Sequence, residues 1–284
     1  MGARPRRLSR PLLRAVPIAV LVTVVVAAVV ARRSSRPVVT TTQGKAPAPS
    51  SRDGAAPFDA PLRGPSPPPK ADVPPGAPRM LHGGPRRTHR TAARGPRSPD
   101  IGWRARVDGP VTAQVTTSPD ESTLYIATLG GSIVALSRVD GARRWSVALG
   151  DRAYATPLVH DDGTIYVGTD AKKLFALSPK GETVFRLETD GEADTGPAFG
   201  KDGTIVFTAG KNVYSARLGG DLAWRFTAKG KVFTAPAITD DGLVIVGSQD
   251  NHVHALAAGG VLAWTVDLGA DVDGGPVIGD DGSI

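Results

Sequence analysis

The 284-residue chain contains no cysteine. This excludes disulfide staples, thiolate zinc sites, a cysteine nucleophile and a lipid-modified N-terminal cysteine. No nucleophile-elbow motif and no Ser/His/Asp arrangement beyond chance is present. Downstream of Trp103 no amphipathic 3.6-residue period appears, which argues against helical repeats. Acidic residues are scarce at the start: residues 1–100 hold 4 Asp/Glu against 18 Lys/Arg, a net of +14. The rest holds 23 against 16, a net of −7, so the whole-chain figure of +7 describes neither part. The later, acidic part would repel phosphate, and no nucleic-acid partner is expected. Proline and glycine divide the same way, with 18 of 25 prolines in the first hundred residues and 26 of 34 glycines after them.

Residues 1–14 are basic, carrying Arg4, Arg6, Arg7, Arg10 and Arg14. Residues 15–31 (AVPIAVLVTVVVAAVVA) are 17 uncharged residues, at the lower edge of the roughly 17–25 that cross a bilayer as a helix. The preceding arginines favour an N-terminus held inside and a remainder outside. Two readings stay open: a single-pass signal anchor, which places the rest on the periplasmic or exterior side of the cytoplasmic membrane, or a cleavable signal peptide ending at Ala31 that yields a secreted protein. Residues 32–78 are rich in Pro, Ala and Arg with almost no apolar periodicity. Such a segment buries too little surface to offset its ordering entropy, so a disordered spacer is expected. Residues 79–284 form the expected folded part.

A repeat organises that part. Trp103, Trp145, Phe185, Trp224 and Trp264 follow one another at 42, 40, 39 and 40 residues. Twelve residues after each of the last four stands a proline (Pro157, Pro197, Pro236, Pro276), and six further a glycine of an Asp-Gly turn (Gly163, Gly203, Gly242, Gly282). β-rich runs come next (TLYIAT, TIYVGT, TIVFTA, LVIVGS), then IVALS, LFALS, VYSAR and VHALA, with Ala135, Ala176, Ala216 and Ala255 at a matching period. Each unit reads as four short strands: the run at the proline, two strands of alternating character joined to it by the Asp-Gly hairpin, and a fourth carrying the aromatic residue after a Gly turn (Gly141, Gly181, Gly220, Gly260). One such sheet cannot bury both faces, so neighbours must stack. About 40 residues and four strands per unit is the period of a β-propeller blade. Trp103 reads as a lone last strand, four full repeats follow, and a fifth stops at Ile284, which leads us to expect a chain incomplete at its C-terminus.

The pattern P-x-V-x-x-D-G-x-I-Y-V-G-T-x-x-x-x-L-x-A-L-x-x-x-G-x-x-x-W, as at Pro157 to Phe185 and Pro236 to Trp264, resembles the pyrroloquinoline-quinone-type repeat. That family takes in quinoprotein alcohol dehydrogenases and BamB-like outer-membrane assembly factors. The run from Arg79 to Trp103 resembles the lead-in before a first blade. The resemblance implies an all-β propeller whose Trp103, Trp145, Phe185, Trp224 and Trp264 dock between blades. Its motifs specify a fold far more than a chemistry.

Several residues were weighed for chemistry. Asp161, Asp162, Asp240, Asp241, Asp280 and Asp281 have the oxygens calcium needs, but each pair precedes a hairpin glycine, where Asp serves the turn. Asp271 and Asp273 fall short of a site. His252 and His254 lie two apart on a strand and share a face, compatible with zinc, yet no third ligand is near. No catalytic residue, metal ligand or cofactor is expected. The reading is a membrane-tethered extracytoplasmic propeller that binds a protein partner on its face or loops, as an envelope scaffold without catalysis. A quinone-dependent dehydrogenase and a glycan- or ligand-binding ectodomain are the alternatives.

Overall fold

The computed structural model describes residues 79–89 and 101–284. The expected membrane segment (15–31) and spacer (32–78) lie outside the described residues. Four four-stranded antiparallel sheets follow one another, each a meander in chain order. The first is β1 (Thr116–Thr117), β2 (Thr123–Ala127), β3 (Ser132–Ser137) and β4 (Arg143–Ala148). The second is β5 (Leu158–Val159), β6 (Ile165–Thr169), β7 (Lys173–Leu177) and β8 (Thr183–Glu188). The third is β9 (Ala198–Phe199), β10 (Ile205–Ala209), β11 (Asn212–Ala216) and β12 (Leu222–Thr227). The fourth is β13 (Ala237–Ile238), β14 (Val244–Gly247), β15 (His252–Ala257) and β16 (Val261–Asp267). Among the described residues no helix is long and apolar enough to cross a membrane.

The turns follow from local chemistry. Between the first two strands of the second, third and fourth sheets the chain reverses at Gly163, Gly203 and Gly242, with φ of +88°, +77° and +94°, a region cheap only for glycine. The aspartates close these reversals. Asp162 Oδ1 accepts from the Thr164 amide at 2.8 Å, and Asp202 Oδ1 from the Thr204 amide at 3.1 Å and its hydroxyl at 2.6 Å. In the first repeat Glu121 takes the glycine position at φ +56°.

The second and third strands are more deeply buried than their half-alternating sequence suggests. β6, β10 and β14 are buried at every residue, whereas β4 and β8 alternate between exposed and half-buried. The reason is that sheets cover one another on both faces. Tyr166 and Leu174 of the second sheet share a cluster with Val206 and Phe207 of the third and Val246 of the fourth. Tyr125 and Ile133 of the first pack with Val167 and Phe175 of the second. Each such large side chain contributes about 1.5–3 kcal/mol by leaving water, so the core lies between sheets.

One irregularity recurs in every sheet. The ladder between the third and fourth strands slips by one residue between Ala135 and Leu136, Ala176 and Leu177, Ser215 and Ala216, and Ala255 and Leu256. In each case the aromatic residue pairs just beyond the slip, Trp145 with Ala135, Phe185 with Ala176, Trp224 with Ser215 and Trp264 with Ala255. A bulge re-aims the side chain beside it, and the small partner leaves room for the ring. The landmark in the third repeat is therefore Ser215, one residue before the Ala216 expected from the alanine series. Serine keeps the volume small, and its Oγ donates to Thr204 Oγ1 at 2.7 Å.

Residues 101–107 carry no strand, unlike the lone last strand expected at Trp103. No ladder partner lies beside them among the described residues. Residues 269–284 hold only the turn closed by Gly279 and Ser283, at 2.8 Å.

Candidate functional site at the axis

The aromatic residues are placed by a shared contact. An ideal Cβ at Gly141 would lie 2.4 Å from the Trp103 ring, at Gly181 2.9 Å from Trp145, at Gly220 2.9 Å from Phe185 and at Gly260 2.6 Å from Trp224. Each ring thus sits on the third-to-fourth-strand turn of the following repeat. These glycines have φ of +72°, +84°, +97° and +75°. The indole N–H of Trp103 donates to Arg138 O at 3.0 Å and that of Trp145 to Pro179 O at 2.9 Å. Trp264 is 36% exposed, on a β16 exposed at every residue.

The first strands, β1, β5, β9 and β13, stand side by side, β1 against β5 and β9 against β13. Each ladder is only two residues long, so the small-residue runs before and beside them keep backbone groups that need other partners. Residues 79–89 supply several. Arg79 O accepts from the Val159 amide at 2.7 Å, Pro85 O from Ile238 at 3.0 Å and Arg86 O from Ile278 at 3.0 Å. The His82 amide donates to Gln114 Oε1 at 2.8 Å. The Arg87 guanidinium completes the set. Its Nε and Nη2 donate to Pro236 O at 3.0 and 2.8 Å, Nη2 also to Gly196 O at 3.0 Å, and Nη1 to Leu81 O at 3.1 Å. One eleven-residue arm therefore bonds to all five repeats.

Arg87 is 2% exposed. Burial pulls its guanidinium down to about 10, still protonated at neutral pH. His82, Arg87 and His89 have φ of +59°, +60° and +55°, strain that persists only where surrounding contacts over-determine the backbone. The rings of His82 and His89 lie with centroids 3.5 Å apart, tilted by 31°. Burial, then His89, then Arg87 lower the His82 pKa.

Cavities flank the arm. One, of about 500 Å³, is lined by His82, Arg87, Tyr154, Asp194 and Phe233. The other, of about 540 Å³, lies toward the Asp-Gly turns and is lined by Arg79, Glu121, Asp161 and Phe199. Around the first mouth, the position three residues before each repeat's proline holds Tyr154, Asp194, Phe233 and Asp273. The neighbouring positions in these runs keep mostly small residues while this one varies between aromatic and acidic, a signal present in the sequence. Lys231 Nζ lies 3.9 Å from the Phe233 ring centroid and reaches Glu192 at 2.8 Å and Asp194 at 3.7 Å. Arg152 pairs with Asp170 at 3.1 Å.

Asp194 faces Asp170. Burial, and then the Asp170 carboxyl, push Asp194 up to about 7. Asp170 Oδ1 and Asp194 Oδ1 are both buried without a donor, and a proton on Asp194 satisfies both. The folded pKa lies above the unfolded value of roughly 3.9, so the folded state holds a proton that the unfolded state releases. Wild-type stability therefore falls as pH rises from about 4 to about 7. Asp194→Asn cannot titrate and is expected to lose that slope, melting several degrees above wild type at pH 8. Melting curves from pH 4 to 8 check this, and parallel profiles for the two proteins contradict it.

The residues weighed for metals are committed elsewhere. His254 is buried, with Nε2 at 3.1 Å from each Asp250 carboxylate oxygen and Nδ1 at 3.1 Å from Thr265 Oγ1. The rings of His252 and His254 stack at 5.7 Å, but both nitrogens of His254 are taken. Asp281 accepts from the Ser283 amide at 3.0 Å, and Asp273 from Gln249 Nε2 at 3.1 Å. No group of three or more metal-ligating side chains occurs among the described residues. The axis does not fit a quinone held over calcium, because the carbonyls of Gly196 and Pro236 face a guanidinium and a second cation there would be repelled.

Serial four-stranded antiparallel meanders, stacked face to face with their short first strands side by side, define a repeat protein of the β-propeller class. A family model described as outer membrane protein assembly factor BamB matches residues 90–193 and again 174–281, and the chain belongs to that PQQ-like propeller family. Among solved structures, BamB from Moraxella catarrhalis is similar with a TM-score of 0.51 at 21% identity, over 61% of this chain and 54% of that one. The chain thus spans about half the length of that protein, and likeness at this identity speaks for the fold. A search of curated proteins finds no match.

Proposed function

We propose that this protein is a non-catalytic protein-binding scaffold of cell-envelope assembly, a propeller held outside the cytoplasm by residues 15–31 and set off from the membrane by residues 32–78. The observation that carries the reading is the axis: the chain's own residues 79–89 lie there and bond to every repeat, and the mouths and loops beside them offer recognition surface. Tyr154 and Phe233 are 39% and 38% exposed at one mouth, and aromatic residues of this kind anchor protein interfaces. Membership of the BamB family supports an assembly role. A photo-crosslinking residue at Tyr154 or Phe233 is expected to give a discrete adduct with an envelope protein in membrane fractions, while one at the strand position Arg186 gives none. Absence of adducts from both mouth positions counts against the scaffold reading.

A further inference from the structure

The arm at the axis does more than fill space. Its Arg79, Pro85 and Arg86 carbonyls each accept from one amide of a different repeat, Val159, Ile238 and Ile278. Its most deeply buried side chain, Arg87, is a cation received by backbone carbonyls of two different repeats, Gly196 and Pro236. Carbonyl acceptors recognise the donor fork of a guanidinium, whereas an ammonium would satisfy fewer of them. Arg79 and Arg86 meet the acidic turns, Arg79 pairing with Asp161 and Arg86 approaching Asp240 at 3.7 Å and Asp280 at 3.6 Å. The site therefore offers one main-chain amide from each of three repeats, a carbonyl pocket for one arginine and an acidic rim. Clefts of about 500 and 540 Å³ open beside the arm, so parts of it border open space.

We propose that the axis is a binding site for a turned, arginine-bearing peptide segment, occupied in cis by residues 79–89 as a releasable strap. The inference shares the axis with the scaffold reading, but the two fail separately: crosslinking at the mouths tests the scaffold, and peptide binding tests the strap. The probe is a fluorescent peptide of residues 79–89, titrated into the full-length protein and followed by anisotropy. Wild type, whose site is filled, is expected to bind it at least tenfold more weakly than Arg87→Ala, whose strap has lost its anchor. A peptide carrying the same Arg87→Ala change is expected to bind that variant at least tenfold more weakly than the native peptide. A variant that keeps its cooperative melting transition yet binds no peptide, or binds both peptides equally, overturns the proposal. Should Arg87→Ala fail to fold, hydrogen exchange on wild type decides. A releasable strap requires the Val159, Ile238 and Ile278 amides to exchange at least tenfold faster than those paired between β10 and β11, and equal rates overturn it.

Discussion

Replacing Gly181 by valine is expected to destabilise the fold by about 2–5 kcal/mol, in two separable parts. Gly181 has φ of +84°, and a side chain in the left-handed region costs about 1–2 kcal/mol, with β-branched residues worst placed. The second part is steric. The added Cβ would lie 2.9 Å from Trp145 Cδ2 and 3.0 Å from Cε3. The indole cannot slide away freely, because its N–H is held by Pro179 O at 2.9 Å and its strand is registered by the bulge opposite Ala135. Overpacking of this kind costs about 1–3 kcal/mol. Gly203 supplies the control. Its φ is +77° and nothing lies within 4 Å of its Cβ position, so Gly203→Val is expected to lose only the backbone part. For a folded part of this size the Gly181 variant should melt roughly 4–20 °C lower, at about 2–4 °C per kcal/mol. A Trp145→Ala background should return Gly181→Val to the cost of Gly203→Val. Equal losses at Gly181 and Gly203 in the wild-type background would remove ring seating as a source of stability.

That contact was half legible in the sequence. The period of the aromatics and of the turn glycines was plain, because each repeat must build the same sheet and seat the same ring. The pairing of one repeat's ring with the next repeat's glycine was not, since it joins residues about 36 positions apart that no local pattern connects. The slip from Ala216 to Ser215 shows how a small-residue landmark misleads when two small residues are adjacent: only the ladder reveals which of them faces Trp224. Strand burial was underestimated for a related reason, as alternation reports one covered face and stacked sheets cover two. The axial arm was least legible. Residues 79–89 stand outside the repeat, and the groups that receive Arg87 are main-chain carbonyls of Gly196 and Pro236, which carry no residue-type signature. At the mouth a signal existed, because Tyr154, Asp194, Phe233 and Asp273 break the small-residue rule of the runs that hold them. A position that varies where its neighbours are constrained by packing is free to serve recognition.

Arg87→Met is expected to lower the free energy holding the arm by about 3–5 kcal/mol, with the loss concentrated in the arm. Methionine fills much of the same volume, so the change tests the polar head. Removing the guanidinium strands the carbonyls of Gly196 and Pro236, and a buried polar group left without its partner costs about 1–3 kcal/mol. The buried cation is itself expensive to desolvate, as the lowered pKa of about 10 records, and that saving offsets part of the loss. It does not offset all of it, because the donors in place make hydrogen bonds of 2.8–3.1 Å, charge-assisted and stronger than neutral ones. Two neighbours make the arm's own backbone costly: His82 and His89 hold φ of +59° and +55°, and without the Arg87 anchor that strain favours release. Since the sheets keep their own ladders and clusters, the measurement is hydrogen exchange at Ile238 and Ile278, whose amides donate to Pro85 and Arg86 carbonyls at 3.0 Å. A loss of about 4 kcal/mol corresponds to exchange faster by roughly a thousandfold, while amides between β6 and β7 should change little. Arg87→Lys should fall between wild type and Arg87→Met, because an ammonium keeps the charge but cannot reach Pro236, Gly196 and Leu81 with one planar fork. Uniform acceleration across the arm and the sheets would mean that Arg87 holds the sheet array together, and unchanged exchange at Ile238 and Ile278 would mean that it anchors nothing.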